Sequence, residues 1–389
     1  MAALAALALL TTIPLAGPAR GDDLGRVLQP GVRKPDEAAD LVRQALGADP
    51  DASRRALERL VAMGEPARPR LTAAVRQLLE RGREVVLRAE RLVGDPAKAQ
   101  ELQEQVNATR AKARANIKTL KKGKPIEVAR DFYEQLDDRV PLLGKVLEVR
   151  VAVCRAMAGR DHLLKRWRGL DAEDARFDET NESALGAKAE AILALSLEEA
   201  QRIPAFGRGD PPAEGSTAWH TWFYAACRAI EAYNASLKDQ MSTGEFANVQ
   251  AVNHYRELLG ILPMEVDPRL LQAARRHSKE MADLGYFGHT SPKKEHKTAS
   301  MRTKQAGYDG GTGENCAKGY PTGKAAFWGW FSSPPHHRNM VNGGNAALGV
   351  GQWGDLWTQN FGRGKRAMLL DADARGRLAV KGDVLPPRG

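Results

Sequence analysis

Six of the eight histidines (His254, His277, His289, His296, His336 and His337) fall between residues 245 and 365, with four of the seven tryptophans, Trp328, Trp330, Trp353 and Trp357. Imidazoles with a carboxylate are the donor set of a divalent transition metal that keeps an open position for water or ligand. No local ligand motif of the H-E-x-x-H kind occurs, so only a fold can bring such groups together. A nucleophile beside a histidine is the other chemistry on offer, with Ser291, Ser332, Ser333 and Cys316 as candidates. Cys316 follows Glu314 by two residues, and a nearby carboxylate raises a thiol's pKa and disfavours the thiolate, so packing is its better role. No G-x-S-x-G elbow, P-loop or dinucleotide fingerprint appears in the context its chemistry needs. The glycines of 310–313 form a turn before a strand and do not open a helix that would hold phosphate. His254, His277 and His296 are expected at the surface.

These side chains need elements to hold them. Residues 347–353 and 356–361 alternate as two short strands around a Gly354-Asp355 turn. In order, the segment presents Asn253-x-x-Arg256 and Gly260 on one helix, then a second helix over 270–281, then Phe287-Gly288-His289-Thr290-Ser291. Arg302 with Gly307-Tyr308, Gly313-Glu314-Asn315, Trp330-x-x-Ser333-Pro334-x-His336, Gly349-Val350-Gly351 and Trp357-Thr358-Gln359-x-Phe361-Gly362 follow. In this order and spacing the chain resembles the CAP superfamily, or SCP domain, over about residues 245–365. That family comprises cysteine-rich secretory proteins, antigen 5 and pathogenesis-related proteins, including bacterial secreted members.

The resemblance implies an α-β-α sandwich with a cleft where two histidines and up to two glutamates converge. By position, His289 takes the first histidine, Glu314 the glutamate of the G-E-N motif with Asn315 beside it, and His336 the second histidine. His337 is the alternative within the doublet, but His336 keeps the expected spacing from Ser333-Pro334 and to Asn339. The chain departs from the animal and plant members where they carry glutamate, because Ser333 stands three residues after Trp330. The implied metal ligands are His289 and His336, for Zn2+ or another divalent cation, with Glu314 as a further ligand or as a general base but hardly both. No other cofactor is expected.

With 389 residues, 43% apolar and 27% charged, the chain has room for two or three domains of ordinary soluble composition. A net charge of +10 favours anionic partners, but the basic residues are interleaved with acidic ones and no specific nucleic-acid binding is expected. Residues 2–16 are apolar and uncharged, then come Gly17, Pro18 and Ala19. This predicts a signal peptide over 1–21, export, and no transmembrane segment after cleavage. Three cysteines, Cys154, Cys227 and Cys316, exclude a disulfide scaffold and a zinc ribbon, while leaving a Cys154–Cys227 bridge open.

Residues 22–243 read as a long helical bundle or coiled-coil-like region, with helices expected at 71–93, 97–121, 126–138, 142–169, 182–202 and 217–240. Proline and glycine make 204–216 a loop or linker. A CAP-like domain over 244–365 follows, and the extension 366–389 offers a candidate β-hairpin around 373–376. The fold class is thus α+β. The functional expectation is a secreted or envelope-associated, non-enzymatic module. Its cleft takes a lipid, glycan or peptide, and its helical region is available to a protein partner. The alternative is a metal-assisted hydrolase of peptide or cell-envelope substrates.

Overall fold

Local chemistry sets the helix starts. Ser196 and Ser242 each accept a hydrogen bond from the backbone N–H three residues on, and Glu199 and Glu245 return to the cap residue's own N–H, making two reciprocal capping boxes. Asp267 caps a helix that has Pro268 at its first position, and Gly285, at φ 65°, ends that helix in the left-handed conformation that a residue without Cβ adopts freely. In a computed structural model, residues 37–45, 50–64, 68–121, 123–167, 179–370 and 378–387 are described. The expected signal peptide lies outside them.

The helices are α1 (Glu37–Ala45), α2 (Pro50–Ala62), α3 (Arg68–Val93), α4 (Pro96–Lys118), α5 (Lys124–Trp167), α6 (Glu179–Leu193), α7 (Leu197–Gln201) and α8 (Thr217–Ser236). Then come α9 (Thr243–Leu258), β1 (Glu265–Val266), α10 (Pro268–Leu284), α11 (Ala299–Gln305), β2 (Thr312–Lys318), α12 (Gly323–Phe331), α13 (Pro334–Met340), β3 (Ala347–Trp353) and β4 (Leu356–Gly362). Helix α5 runs unbroken through Pro141, where the sequence suggests two helices. A proline inside a helix removes one N–H and crowds the preceding turn, but Leu136, Val140 and Leu143 around it are all buried, and that packing carries the helix across the defect.

The chain divides into two compact units, one drawn from 1–100 and 145–222, the other from 101–144 and 223–389. The described part of the first holds helices and an irregular loop over 202–216, with no strand. Val86 and Ala89 of α3, Val149 and Val153 of α5, Ala189, Ile192 and Leu193 of α6, and Ala200 of α7 form its core. Arg150 is fully buried among them and donates from Nε to Ile192 O at 3.2 Å. Burial lowers its guanidinium to about 10.

The second unit holds a four-stranded sheet in the order β1-β3-β4-β2, with β1 parallel to β3 and the other pairs antiparallel. The expected hairpin at Gly354-Asp355 joins β3 to β4, with Trp353 opposite Leu356. Helix α10 covers one face so closely that a Cβ on Gly349 would strike the Leu270–Leu271 backbone and one on Gly351 the Ala274–Arg275 backbone. These two glycines, two apart on one strand face, set the helix-to-sheet distance. Helices α9, α12 and α13 form the third layer, and Asn248 of α9 is linked to Gln359 of β4 at 2.7 Å. No disulfide joins Cys154, Cys227 or Cys316.

This unit reaches upstream of residue 244. Arg110 and Arg114 of α4, one helical turn apart, donate to the carbonyls of Glu257, Leu258, Leu259 and Gly260 at 2.8–2.9 Å, which satisfies the C-terminal end of α9. Asn234 of α8 donates to Met264 O and accepts from Val266 N, fixing β1. Tyr133 of α5 packs among Tyr255, Trp328 and Phe331. Downstream, the candidate hairpin turn around 373–376 lies outside the described residues. Past it, 378–387 is an irregular strap whose Leu385 carbonyl accepts from Gln272 and Arg275 of α10, and whose Lys381 N–H donates to Ala306 O. These backbone groups of the strap are satisfied without a strand ladder.

Candidate functional site

Strand alternation sorts the G-E-N-C run of β2. Successive residues of a strand face opposite ways, so Glu314 and Cys316 share one face, toward α10, while Asn315 faces the other layer. Asn315 Nδ2 there donates to His336 O and Gln359 Oε1, both at 3.1 Å, and its Oδ1 accepts from Asn339 at 2.9 Å. Asn315 and Asn339 thus hold the start of α13 against β2. Because β2 is the edge strand, groups from both layers meet at its rim.

Glu314 is the hub. Its side chain is 3% exposed, yet Oε1 accepts from His289 Nδ1 at 2.9 Å and Oε2 from Arg302 at 2.7 Å. The Asn360 amide, with its nitrogen toward Glu314, donates to Oε2 at 3.2 Å. Burial alone would raise this carboxyl, but the His289 hydrogen bond and the charges of Arg302 and His277 bring it below its ordinary value. The same hydrogen bond raises His289, whose side chain is 55% exposed.

His336 lies across from His289 with ring centroids 6.4 Å apart, and burial, then the charge of His289, lower its pKa. His337 points elsewhere. It is fully buried, with Nδ1 at 2.8 Å from Phe331 O and Nε2 at 3.0 Å from Tyr255 Oη. A carbonyl only accepts, so Nδ1 carries the proton and Nε2 accepts from Tyr255. Burial lowers His337 to about 4 and keeps it neutral.

Contrary to the expected surface position, His277 is fully buried, with Nε2 at 3.0 Å from Gly288 O and 3.8 Å from Glu314 Oε1. It occupies the apolar stripe of α10 with Leu270, Ala274 and Met281, all buried. That helical spacing is the signal for its burial. His296 and His254 are each half-buried and paired, His296 with Glu280 and His254 with Asp137, both at 2.6 Å. Glu280 also accepts from Tyr286 at 2.6 Å and from Ser291. These hydrogen bonds outweigh its burial and hold its carboxyl down at about 2. Ser291 is thereby committed to a carboxylate. Cys316 Sγ lies 3.5 Å from Glu314 Oε1 and 3.6 Å from His289 Nδ1. Burial first, and Glu314 second, push its thiol well up.

Residues 249–354 match the CAP family, described as the cysteine-rich secretory protein family. Among curated proteins the chain is 33% identical over 128 residues to the uncharacterized protein YkwD of Bacillus subtilis (strain 168), covering 32% of this chain and 49% of that protein. It is 32% identical over 125 residues to the uncharacterized membrane protein YlbC of the same strain, covering 32% of this chain and 36% of that one. The chain therefore spans about half or less of the length of these relatives. Among solved structures it is similar to an extracellular protein containing a SCP domain from Bacillus anthracis str. Ames, with 31% identity, a TM-score of 0.29, and coverage of 31% of this chain and 41% of that one. It is also similar to an outer surface protein from Borrelia burgdorferi, with 21% identity, a TM-score of 0.27, and coverage of 30% of this chain and 90% of that one. Residues 249–354 are thus a CAP domain, which a long helical region precedes.

Proposed function

We propose that this is an exported or envelope-associated binding protein whose CAP domain works without turnover, through a cleft where His289 and His336 ligate a divalent metal. The observation that carries it is the hydrogen bond from His289 Nδ1 to Glu314 Oε1 at 2.9 Å. Carboxylate on one ring nitrogen fixes the tautomer and leaves Nε2 as the ligating atom, the usual support of a metal-bound imidazole. The donor set fits zinc. Two imidazoles on one tetrahedral ion place their centroids about 5 Å apart, against 6.4 Å between these rings, a gap that rotation of two half-exposed side chains closes. A bound divalent ion would supply an open coordination position for a polar ligand group, such as a carboxylate or phosphate of a peptide, glycan or lipid. Asn315 and Asn339 hold His336 in place from behind.

Binding is favoured over hydrolysis because the nearby nucleophiles are held inactive. Cys316 is buried with a raised thiol pKa, and Ser291 donates to Glu280. Glu314, paired with both His289 and Arg302, positions His289 and is not placed as a base. Export is supported by the apolar, uncharged stretch 2–16, and no helix among the described residues is long and apolar enough to cross a membrane.

The test is zinc titration of the full chain by calorimetry. His289→Ala and His336→Ala should each weaken cleft binding at least tenfold with the circular dichroism spectrum unchanged. A zinc stoichiometry and affinity left unchanged by both changes would remove the cleft assignment, and zinc-dependent release of envelope peptides would favour the hydrolase instead.

A further inference from the structure

Behind the cleft, a second set of donors closes on Glu314 from inside the domain. His277 Nε2, Glu314 Oε1 and Cys316 Sγ all lie within 4.8 Å of one another, and all three residues are buried. Cys316 Sγ is 3.5 Å and His277 Nε2 3.8 Å from Glu314 Oε1. Tetrahedral zinc, with bonds of about 2.3 Å to sulfur and about 2.0–2.2 Å to nitrogen and oxygen, holds such donors about 3.4–3.6 Å apart. The two pairs that include Glu314 Oε1 therefore stand near ligating distance before any ion arrives, with the third inside 4.8 Å.

The surroundings of His277 suit a ligand. Tyr286 Oη donates its single proton to Glu280 Oε1 at 2.6 Å and lies 3.4 Å from His277 Nδ1. In the structure the ring proton of His277 is on Nε2, which donates to Gly288 O at 3.0 Å. Ligation uses the other tautomer, and Tyr286, with its own hydrogen committed, is the acceptor that awaits Nδ1–H in it. Glu280, Tyr286 and His277 are thus a carboxylate–tyrosine–imidazole chain of the kind that orients metal-bound histidines. Glu280 is fixed in turn by Ser291 and His296. Arg302 occupies Glu314 Oε2 at 2.7 Å, and Oε1, which also accepts from His289 Nδ1 at 2.9 Å, is the oxygen facing the cluster.

We propose that His277, Glu314 and Cys316 form an inner, thiolate-containing site for a soft or borderline divalent ion, zinc or cobalt rather than magnesium or calcium, distinct from the cleft pair His289 and His336. On binding, the metal–sulfur bond replaces the S–H bond of Cys316, whose proton leaves to solvent. Nε2 of His277 gives up its proton and its contact with Gly288 O for the metal, and Nδ1 takes up a proton that faces Tyr286. Arg302 offsets the Glu314 charge, so the ion is held by sulfur and nitrogen donation, which hard, oxygen-seeking cations do not exploit. The proposal does not rest on the cleft reading.

The experiment is cobalt(II) titration of the reduced full-length chain, followed by its absorption spectrum. Thiolate ligation gives an intense near-ultraviolet sulfur-to-cobalt band at one equivalent, and chelation should abolish it. The band should disappear in Cys316→Ser, a near-isosteric change, and should persist in His336→Ala and in Cys154→Ser/Cys227→Ser. His277→Gln should weaken cobalt affinity at least tenfold, and if that variant misfolds, Cys316→Ser alone decides. Cobalt bound without the sulfur band would overturn the inner site while leaving the cleft reading standing. No cobalt bound by the folded wild-type chain would overturn both, and a band unchanged in Cys316→Ser would place the thiolate elsewhere and sink the proposal.

Discussion

Arg302 and Glu314 form a buried ion pair, with Nη2 2.7 Å from Oε2 and both side chains under 5% exposed. Arg302 also donates to the carbonyls of His289 and His296, so one guanidinium ties the first-histidine loop to the glutamate of β2. Taking either partner away leaves a buried charge uncompensated, at about 3–5 kcal/mol. Arg302→Met and Glu314→Gln are each expected to destabilise by that order, and the double variant by less than their sum. Urea unfolding of the three variants measures the coupling, and strict additivity would show that the two side chains act independently.

The four site histidines should titrate in a fixed order. His289 is raised by Glu314, whereas His277 and His336 are lowered by burial, and His337 falls to about 4. The His289–Glu314 pair contributes stability while His289 is charged, and this fades as pH rises through the raised value. At the acid end it is lost as pH falls through the depressed Glu314 value. His337 works the other way: its contribution is present above 6.5 and is lost as pH drops toward about 4, a term on the order of 3 kcal/mol. Proton-detected histidine titration checks the order, and Glu314→Gln should bring His289 back toward its ordinary value.

Adding one methyl group where α10 meets β3 should be felt strongly. Gly351→Ala puts a Cβ into the Ala274–Arg275 backbone, so α10 must shift as a body. A loss of at least about 1–3 kcal/mol is expected. Gly354→Ala, in the exposed hairpin turn with nothing near its Cβ, bears only the strain of a positive φ and serves as the comparison in thermal denaturation.

The arginine clasp on α9 predicts where the domain can be cut. Arg110→Ala and Arg114→Ala each leave helix-terminal carbonyls without their donors, at about 1–3 kcal/mol where buried. A fragment starting at residue 245 should accordingly unfold at lower urea than the full chain, and lose the same protection of α9 amides in hydrogen exchange that the double variant loses.

Strands β3 and β4, the hairpin turn between them and the meeting of His289 with Glu314 were legible because each depends on local pattern or on the order of short motifs. Asn253 and Arg256 gain their reason only in three dimensions. Asn253 brackets Met264, and Arg256 binds the carbonyls of Leu262, Met340, Asn342 and Asn345. His277 reads as a surface group because a lone polar residue on an amphipathic helix usually is one, although its place on the Leu270 stripe argues the reverse. The membership of 101–144 in the second unit has no local signature. Arg110 resembles any solvated charge on a helix, and its acceptors lie 147 and 148 residues away.

That same separation governs how the protein comes to be made. The clasp between α4 and α9 closes a loop of almost 150 residues, and the residues inside it include a large part of the first unit. Contacts so distant in sequence slow folding, since the ends of the loop must meet before any energy is returned. During synthesis, 101–144 emerges with its partner surface still unmade and must wait for about a hundred further residues. The first unit, if it forms early, shortens the effective tether. The order of events would then be the helical unit first and the second unit last.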